Sequence, residues 1–322
     1  MYNYYAYKRV ILHQFFTYNT IYTSMIALIL ATICAALFSI LFKIFKLKNI
    51  DTMPAIIYNY LAATVLSLVF SYNGSNGFVN PVQTDWFYPA IFTGLIFILG
   101  MMVLSVCTIR VGVAISTVSS RVSMIIPILV NYLFIPGSEK PQWIAIIVIL
   151  FAMSLIVWQK RENSGSERGD KSVLDIIIPL SVFVMFGLSN SFLKLVQHSI
   201  SSNSSLSDTS VNQQLSMVTF VIFISAAVMG GVFIIFNKKS KLAMMLKWKN
   251  ILGGIALGAS NFFCTYLLMV AMKSIKTELL FPLHNIGIVA IGVIAGWGFY
   301  HEKMKPHQIV GFVIAAIAIC FL

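Results

Sequence analysis

Charge is what this sequence is short of. Only 10% of its 322 residues are Asp, Glu, Lys or Arg, against roughly 25% in a soluble globular domain. Such a chain cannot cover a water-facing surface with charge in the usual way. Acid is scarcer still. The ten carboxylates are Asp51, Asp85, Glu139, Glu162, Glu167, Asp170, Asp175, Asp208, Glu278 and Glu302, and each falls in a loop or at the end of an apolar run. With no acid at the centre of a run, a pump built on a mid-membrane carboxylate is not expected. Clustered His and Cys are missing too, which speaks against a membrane enzyme using paired acids or a metal. No enzymatic activity and no cofactor are expected. Cys34, Cys107, Cys264 and Cys320 all lie inside apolar runs. They read as small buried residues, with neither metal spacing nor a disulfide framework. A cleavable leader is also absent: residues 1–24 are aromatic and polar, without a compact apolar region and small-residue cleavage site. The first long run opens at Met25. Residues 1–24 therefore read as an unordered or non-native extension, with Met25 as the true start.

What the chain has in abundance is apolar sequence. Hydrophobic residues make up 59% of it, and its mean hydropathy is +0.89. They gather into runs of about the 20 residues a helix needs to cross the hydrocarbon layer. Seven are uncharged: 25–42, 53–71, 88–109, 176–193, 215–236, 251–272 and 279–300. Three more are shorter or interrupted: 111–135, broken by Arg121, then 143–158 and 309–322. The runs are continuous, whereas a membrane barrel shows dyad alternation over about 10 residues. The expected fold is an all-α integral membrane protein with ten transmembrane helices.

The most polar stretch, 159–173, falls near the midpoint with five spans on either side. Features recur across it in order. Lys43 and Lys194 each end the first span of a half. Leu99-Gly100 matches Leu257-Gly258, Cys107-Thr108 matches Cys264-Thr265, and Glu139-Lys140 matches Glu302-Lys303. QWIA at 142–145 matches QIVG at 308–311. The division expected is 1–24 extension, 25–158 first repeat, 159–173 linker and 174–322 second repeat. An odd number of spans per half inserts the second half in the opposite sense, as in many secondary transporters. Lys and Arg number 6 on the N-terminal side of such a bundle and 15 on the other, with Arg121 within a span. By the positive-inside rule both termini then lie outside the cytoplasm. The net charge of +12 sits at helix ends and in loops. Anionic lipid head groups, not nucleic acid, are its expected partners.

Arg121 is the expensive residue. A guanidinium near the middle of a span costs roughly 2.5–3.5 kcal/mol on insertion scales, so a packed interior or a wet cavity must receive it. Either it binds an anionic group of a substrate, plausibly a carboxylate, or it snorkels to the interface and bonds exposed carbonyls. Counting 18 residues back from each Glu-Lys pair makes His284 its repeat mate; the offset of the preceding span makes the mate Glu278 instead. His284 and Asn285 read as binding or gating groups, or as an interhelical hydrogen bond. Asn59, Asn131, Asn190 and Asn261 are in-span amides suited to helix–helix hydrogen bonds, Asn190 and Asn261 being the better cavity candidates. Gly254 with Gly258, and Gly292 with Gly296, have the spacing of close helix packing. Pro127 and Pro282 can kink their helices and free carbonyls for a cavity. The Glu-Lys pairs read as interfacial helix ends.

Several features converge at this point: tandem five-helix halves, and a proline-containing helix closing on IPGSEK or FYHEK. QWIAIIVIL and QIVGFVIAAI follow those closures. In these the chain resembles the EamA-like branch of the drug/metabolite transporter superfamily, over about 25–322, and in KNIDTMPAIIYNYLAATV and TELLFPLHNIGIV it resembles the bacterial members in particular. The resemblance implies a bacterial inner (plasma) membrane protein and a basket of ten helices. It also implies a central cavity lined by the third, fourth, eighth and ninth spans with parts of the first and sixth. It implies alternating access for a small polar metabolite or drug, often as export, and cytoplasmic termini, opposite to the Lys/Arg count. Four-helix relatives couple to protons through a glutamate in the first span; residues 25–42 contain none. The expected partners are a small-molecule substrate and membrane lipids, as monomer or homodimer. The rival readings are a sensor or receptor without flux, and a membrane enzyme.

Overall fold

Neither proline nor glycine occurs between Tyr2 and Leu47, and a helix once nucleated propagates through such sequence. The computed structural model makes that whole segment one helix, α1 (Tyr2–Leu47). Residues 2–24 are thus helical rather than unordered. The structure describes residues 2–72, 80–111, 113–138, 140–157, 173–202, 208–236, 246–300 and 306–321. It continues with α2 (Thr52–Ser71), a 3₁₀ turn (Pro81–Gln83), α3 (Phe87–Arg110), α4 (Val113–Val122), α5 (Ile125–Phe134) and α6 (Trp143–Val157). The second half holds α7 (Leu174–Ser201), α8 (Asp208–Phe236), α9 (Trp248–Ala271), α10 (Thr277–Tyr300) and α11 (Pro306–Ile319). No strand occurs among the described residues.

Eight segments are long and apolar enough to cross a membrane, the first being Ile21–Phe42 within α1. The fifth and tenth runs form the shorter apolar helices Trp143–Ile156 and Pro306–Ile319. Their outward residues are apolar: Ile144, Ile147 and Phe151 on α6, Ile309, Val313 and Ile317 on α11. Spacings of three and four put each set on one helix face. An exposed face of this kind is the reverse of a soluble protein's and suits lipid. The protein is an all-helical, multi-pass membrane protein.

Helices of the first half pack mainly on helices of the second. The principal interfaces are α2 with α9, α1 with α9, α2 with α8, α3 with α7, α6 with α11, α3 with α8, and α1 with α10, while α4 and α5 lie on α7. Glycines make the closest of these possible. A Cβ on Gly258 of α9 would stand 2.5 Å from Asn59 O of α2, and one on Gly254 2.3 Å from Tyr58 Cβ. A Cβ on Gly94 of α3 would stand 2.2 Å from Ile222 O of α8. The expected packing role of Gly254 and Gly258 is met within the chain. At Gly292 a Cβ would meet nothing within 4 Å. That glycine lies on the outer face of α10 and opens no close approach. The surroundings of Gly296, the residue Glu139 and the pair Glu302-Lys303 lie outside the described residues.

The fourth span is broken. α4 ends at Val122 and α5 starts at Ile125. Around the break the bonds tighten to i−3: Met124 N donates to Arg121 O at 3.2 Å and Ile126 N to Ser123 O at 3.0 Å. Serine hydroxyls cap the last carbonyls of α4, Ser120 Oγ donating to Thr117 O (2.9 Å) and Ser123 Oγ to Ser120 O (2.6 Å). Such back-bonding bends helices. Pro127 falls in the first turn of α5, where its missing N–H breaks no bond. Pro282, by contrast, sits inside an unbroken α10.

Candidate functional site

Where the two halves meet, seven helices line a partly open cavity of about 160 Å³. Arg121 and Ser120 reach it from the last turn of α4, a position where the helix dipole favours a cation. Asn190 and Ser189 come from α7, Asn261 and Cys264 from α9, and His284 and Asn285 from α10. Apolar walls close the rest: Phe38 of α1, Phe97 and Met101 of α3, Phe186 and Leu193 of α7, and Leu268 of α9. Tyr60 of α2 completes the ring. Gly187 lets α5 approach this wall, for a Cβ there would stand 2.2 Å from Ile126 Cδ1.

The polar groups are wired in a definite order. Arg121 Nη1 donates to Asn285 Oδ1 at 3.3 Å, and Asn285 Nδ2 donates to Phe281 O at 2.9 Å. Arg121 Nε is buried and has no partner. The residual surface of this side chain faces the cavity. Among the described residues no carboxylate stands within 4 Å of it; Arg110 and Lys247, by contrast, pair with Asp175 and Asp51. Thr32 Oγ1 of α1 donates to Leu28 O at 2.7 Å and lies 3.0 Å from His284 Nδ1. The hydroxyl has one proton, and Leu28 O receives it. His284 Nδ1 must then be the donor to Thr32, which leaves Nε2 as the ring's acceptor. Asn261 Nδ2 donates to Asn59 Oδ1 at 3.2 Å, a helix–helix bond between α9 and α2.

Five of the six residues singled out from sequence, Arg121, His284, Asn285, Asn261 and Asn190, thus meet in one cavity. Glu278 does not. It is buried in the first turn of α10 and is not part of the cavity wall. The helix N-terminus accounts for an acid there. Sequence reasoning missed Tyr60, whose hydroxyl is buried without a partner, and Thr32. A tyrosine beside Asn59 in mid-span was the available signal. No group of three or more His, Cys, Asp or Glu is arranged to hold a metal among the described residues.

Two ion pairs join the halves away from the cavity. Asp51, between α1 and α2, accepts Lys247 Nζ and Asn250 Nδ2, each at 3.1 Å, while its own N–H donates to Asn250 Oδ1 at 2.9 Å. Chiefly the Asn250 bond, then Lys247, holds its carboxyl below the usual carboxylate range. Arg110, ending α3, pairs with Asp175 at the start of α7 at 3.0 Å.

No family model matches the chain. An uncharacterized protein of Haemophilus influenzae is 24% identical over 302 residues, which cover 91% of this chain and 95% of that one. A crystal structure of a protein 8% identical superposes with a TM-score of 0.64, over 92% of this chain and 95% of its own. At that identity the likeness extends to the fold alone.

Proposed function

We propose that the protein is a secondary transporter, an EamA-like member of the drug/metabolite transporter superfamily, exporting a small polar metabolite or drug across a bacterial plasma membrane. Its ten helical segments cross as two five-span repeats of opposite sense, and the halves rock about the cavity. The observation that carries this is Arg121: a guanidinium set against a cavity at the junction of the halves, with no carboxylate beside it among the described residues. A structural cation would be paired or would reach the interface. One left open to a midplane cavity suits a site that receives cargo.

The pattern of interfaces supports the repeats. Exchanging α1 with α7, α2 with α8, α3 with α9, α4–α5 with α10 and α6 with α11 turns each principal interface into another or into itself. The two ion pairs then fall on the same membrane face, between loops on one side of such a bundle, and hold the halves together there. Arg121→Ala tests transport: flux in proteoliposomes is lost while membrane insertion and monodispersity persist. Normal flux in that variant defeats the assignment.

A further inference from the structure

The charge around the cavity is unbalanced in one direction: Arg121 is the only charged residue among its described lining. Among the described residues three buried side-chain polar atoms lack a partner: Arg121 Nε, Tyr60 Oη and Asn59 Nδ2. Two are pure donors and the third can donate. Two of the three residues, Arg121 and Tyr60, form the cavity wall. Asn285 Oδ1 is taken by Arg121 and Asn59 Oδ1 by Asn261, and the acceptors left on the wall, His284 Nε2 and Asn190 Oδ1, are uncharged. Among the described residues no Asp or Glu lines the space. A second cation stands near: Lys194, four residues beyond Asn190 on α7, donates to the neutral oxygens Gln197 Oε1 (3.1 Å) and Met272 O (3.2 Å).

We infer that the cavity takes a small organic anion carrying no cationic group, its oxyanion head on Arg121 and Tyr60 and an uncharged, largely apolar body against Phe38, Phe97 and Phe186. The inference rests on the cavity being the transport site and specifies what it admits. An anion compensates the buried guanidinium. A zwitterion brings an ammonium that would need a carboxylate, and leaves the site with an uncompensated charge, which is expensive away from water. A neutral ligand leaves Arg121 as it was. Size follows from volume: at about 10–15 Å³ of such space per water, the 160 Å³ accommodates roughly ten non-hydrogen atoms. The missing carboxylate for an ammonium distinguishes this cargo from amino acids and from cationic drugs.

The test uses the full chain in lipid nanodiscs and four ligands of matched body: phenylacetate, phenylglycine, 2-phenylacetamide and phenethylamine. Isovalerate and valine form an aliphatic pair. Binding is read by calorimetry and thermal shift. Phenylacetate should bind at least tenfold tighter than phenylglycine and the other two, and isovalerate tighter than valine. Arg121→Gln should cost phenylacetate about tenfold and erase its advantage over the amide. Tyr60→Phe, which keeps the wall's shape, should weaken it severalfold and leave the ranking intact. If Arg121→Gln fails to fold, the wild-type ranking and Tyr60→Phe decide. Equal or tighter binding of a zwitterion or cation, an anion preference that survives Arg121→Gln, or no binding by either anion overturns the inference. Flux is scored separately in proteoliposomes. Anion binding without flux leaves the site standing and removes transport; flux of a zwitterion or cation leaves transport standing and removes the anion.

Discussion

One proton on Thr32 sets the tautomer of His284, and that makes a small residue consequential. Thr32→Val removes the acceptor for a buried Nδ1–H. An unsatisfied buried donor costs about 1–3 kcal/mol, so the variant should unfold earlier in a thermal scan in detergent. Thr32→Ser keeps the oxygen and should lose about 1 kcal/mol or less, the contribution of one methyl against Gly287. Equal losses for the two variants would show that the hydrogen bond contributes nothing. Tyr60 runs the other way. Its hydroxyl is buried and unpaired, so Tyr60→Phe should stabilise the empty protein by about 1 kcal/mol. Arg121, His284 and Asn285 were legible in the sequence because a charge, an imidazole and an amide stand out in apolar runs. Tyr60 and Thr32 were not. Threonines in these helices mostly bond their own backbone, as Thr64 does to Tyr60 O at 2.7 Å and Thr108 to Leu104 O at 2.8 Å, and Thr32 does the same before it does anything else. Only the fold brings α1 against α10 and gives its oxygen a second use.

At the scale of the helix, glycines with the same sequence signature divide by what faces them. Gly94 and Gly258 face backbone carbonyls that cannot move aside. Gly94→Ala should force α3 from α8 and lose about 3 kcal/mol, at the upper end of overpacking costs. Gly292→Ala adds a methyl to open space and removes a poor helix former, so it should be neutral or gain up to about 1 kcal/mol. A small-xxx-small pattern announces close approach but not which occurrence makes it. The break between α4 and α5 was half legible: Pro127 marked the kink, while the serine caps that move it to Ser123–Met124 depend on side-chain geometry. The Asp51 cluster belongs to this scale too. Its folded carboxyl titrates below the ordinary value. The link is therefore complete above the unfolded pKa of about 4 and weakens only as pH falls through the lower folded one. Between pH 5 and 8 it should not vary. Asp51→Asn, however, should raise reactivity of a thiol probe placed at Ile50, half-buried against Gly253 of α9 beside this link. An unchanged rate at both pH values in the variant would mean that the pair does not restrain the halves.

For the whole molecule the apolar runs were legible as helices, because most are continuous and none alternates. Their number of crossings was less so. α6 has 15 residues and α11 has 14, about 22 and 21 Å at 1.5 Å per residue, shorter than a hydrocarbon layer of about 30 Å. Whether these two helices cross decides the sense of the second half, and labelling can read it. Single cysteines at Ser75, Ser164, Ser204 and Ser240, on a background lacking the four native cysteines, sample the stretches of sequence that follow α2, α6, α7 and α8. With ten crossings, Ser75 and Ser204 lie on one side of the membrane and Ser164 and Ser240 on the other. With eight, α6 and α11 lie in the surface, and the second half enters in the same sense as the first. Ser164 and Ser240 then join Ser75, leaving Ser204 alone. The basic residues add the absolute direction. Fifteen of the 22 Lys and Arg share the side of Ser164 and Ser240 in the ten-crossing arrangement, so those two positions should be cytoplasmic. An impermeant maleimide applied to intact cells should label Ser75→Cys and Ser204→Cys at once, and the other pair only after permeabilisation. The reverse pattern would keep ten crossings but put the termini inside, where relatives of the resembled family have them, and would mean that charge bias does not orient this chain. Labelling of Ser204→Cys on the side opposite to Ser75→Cys would remove the opposed halves, and with them the exchange of helix partners through which one half could rock against the other.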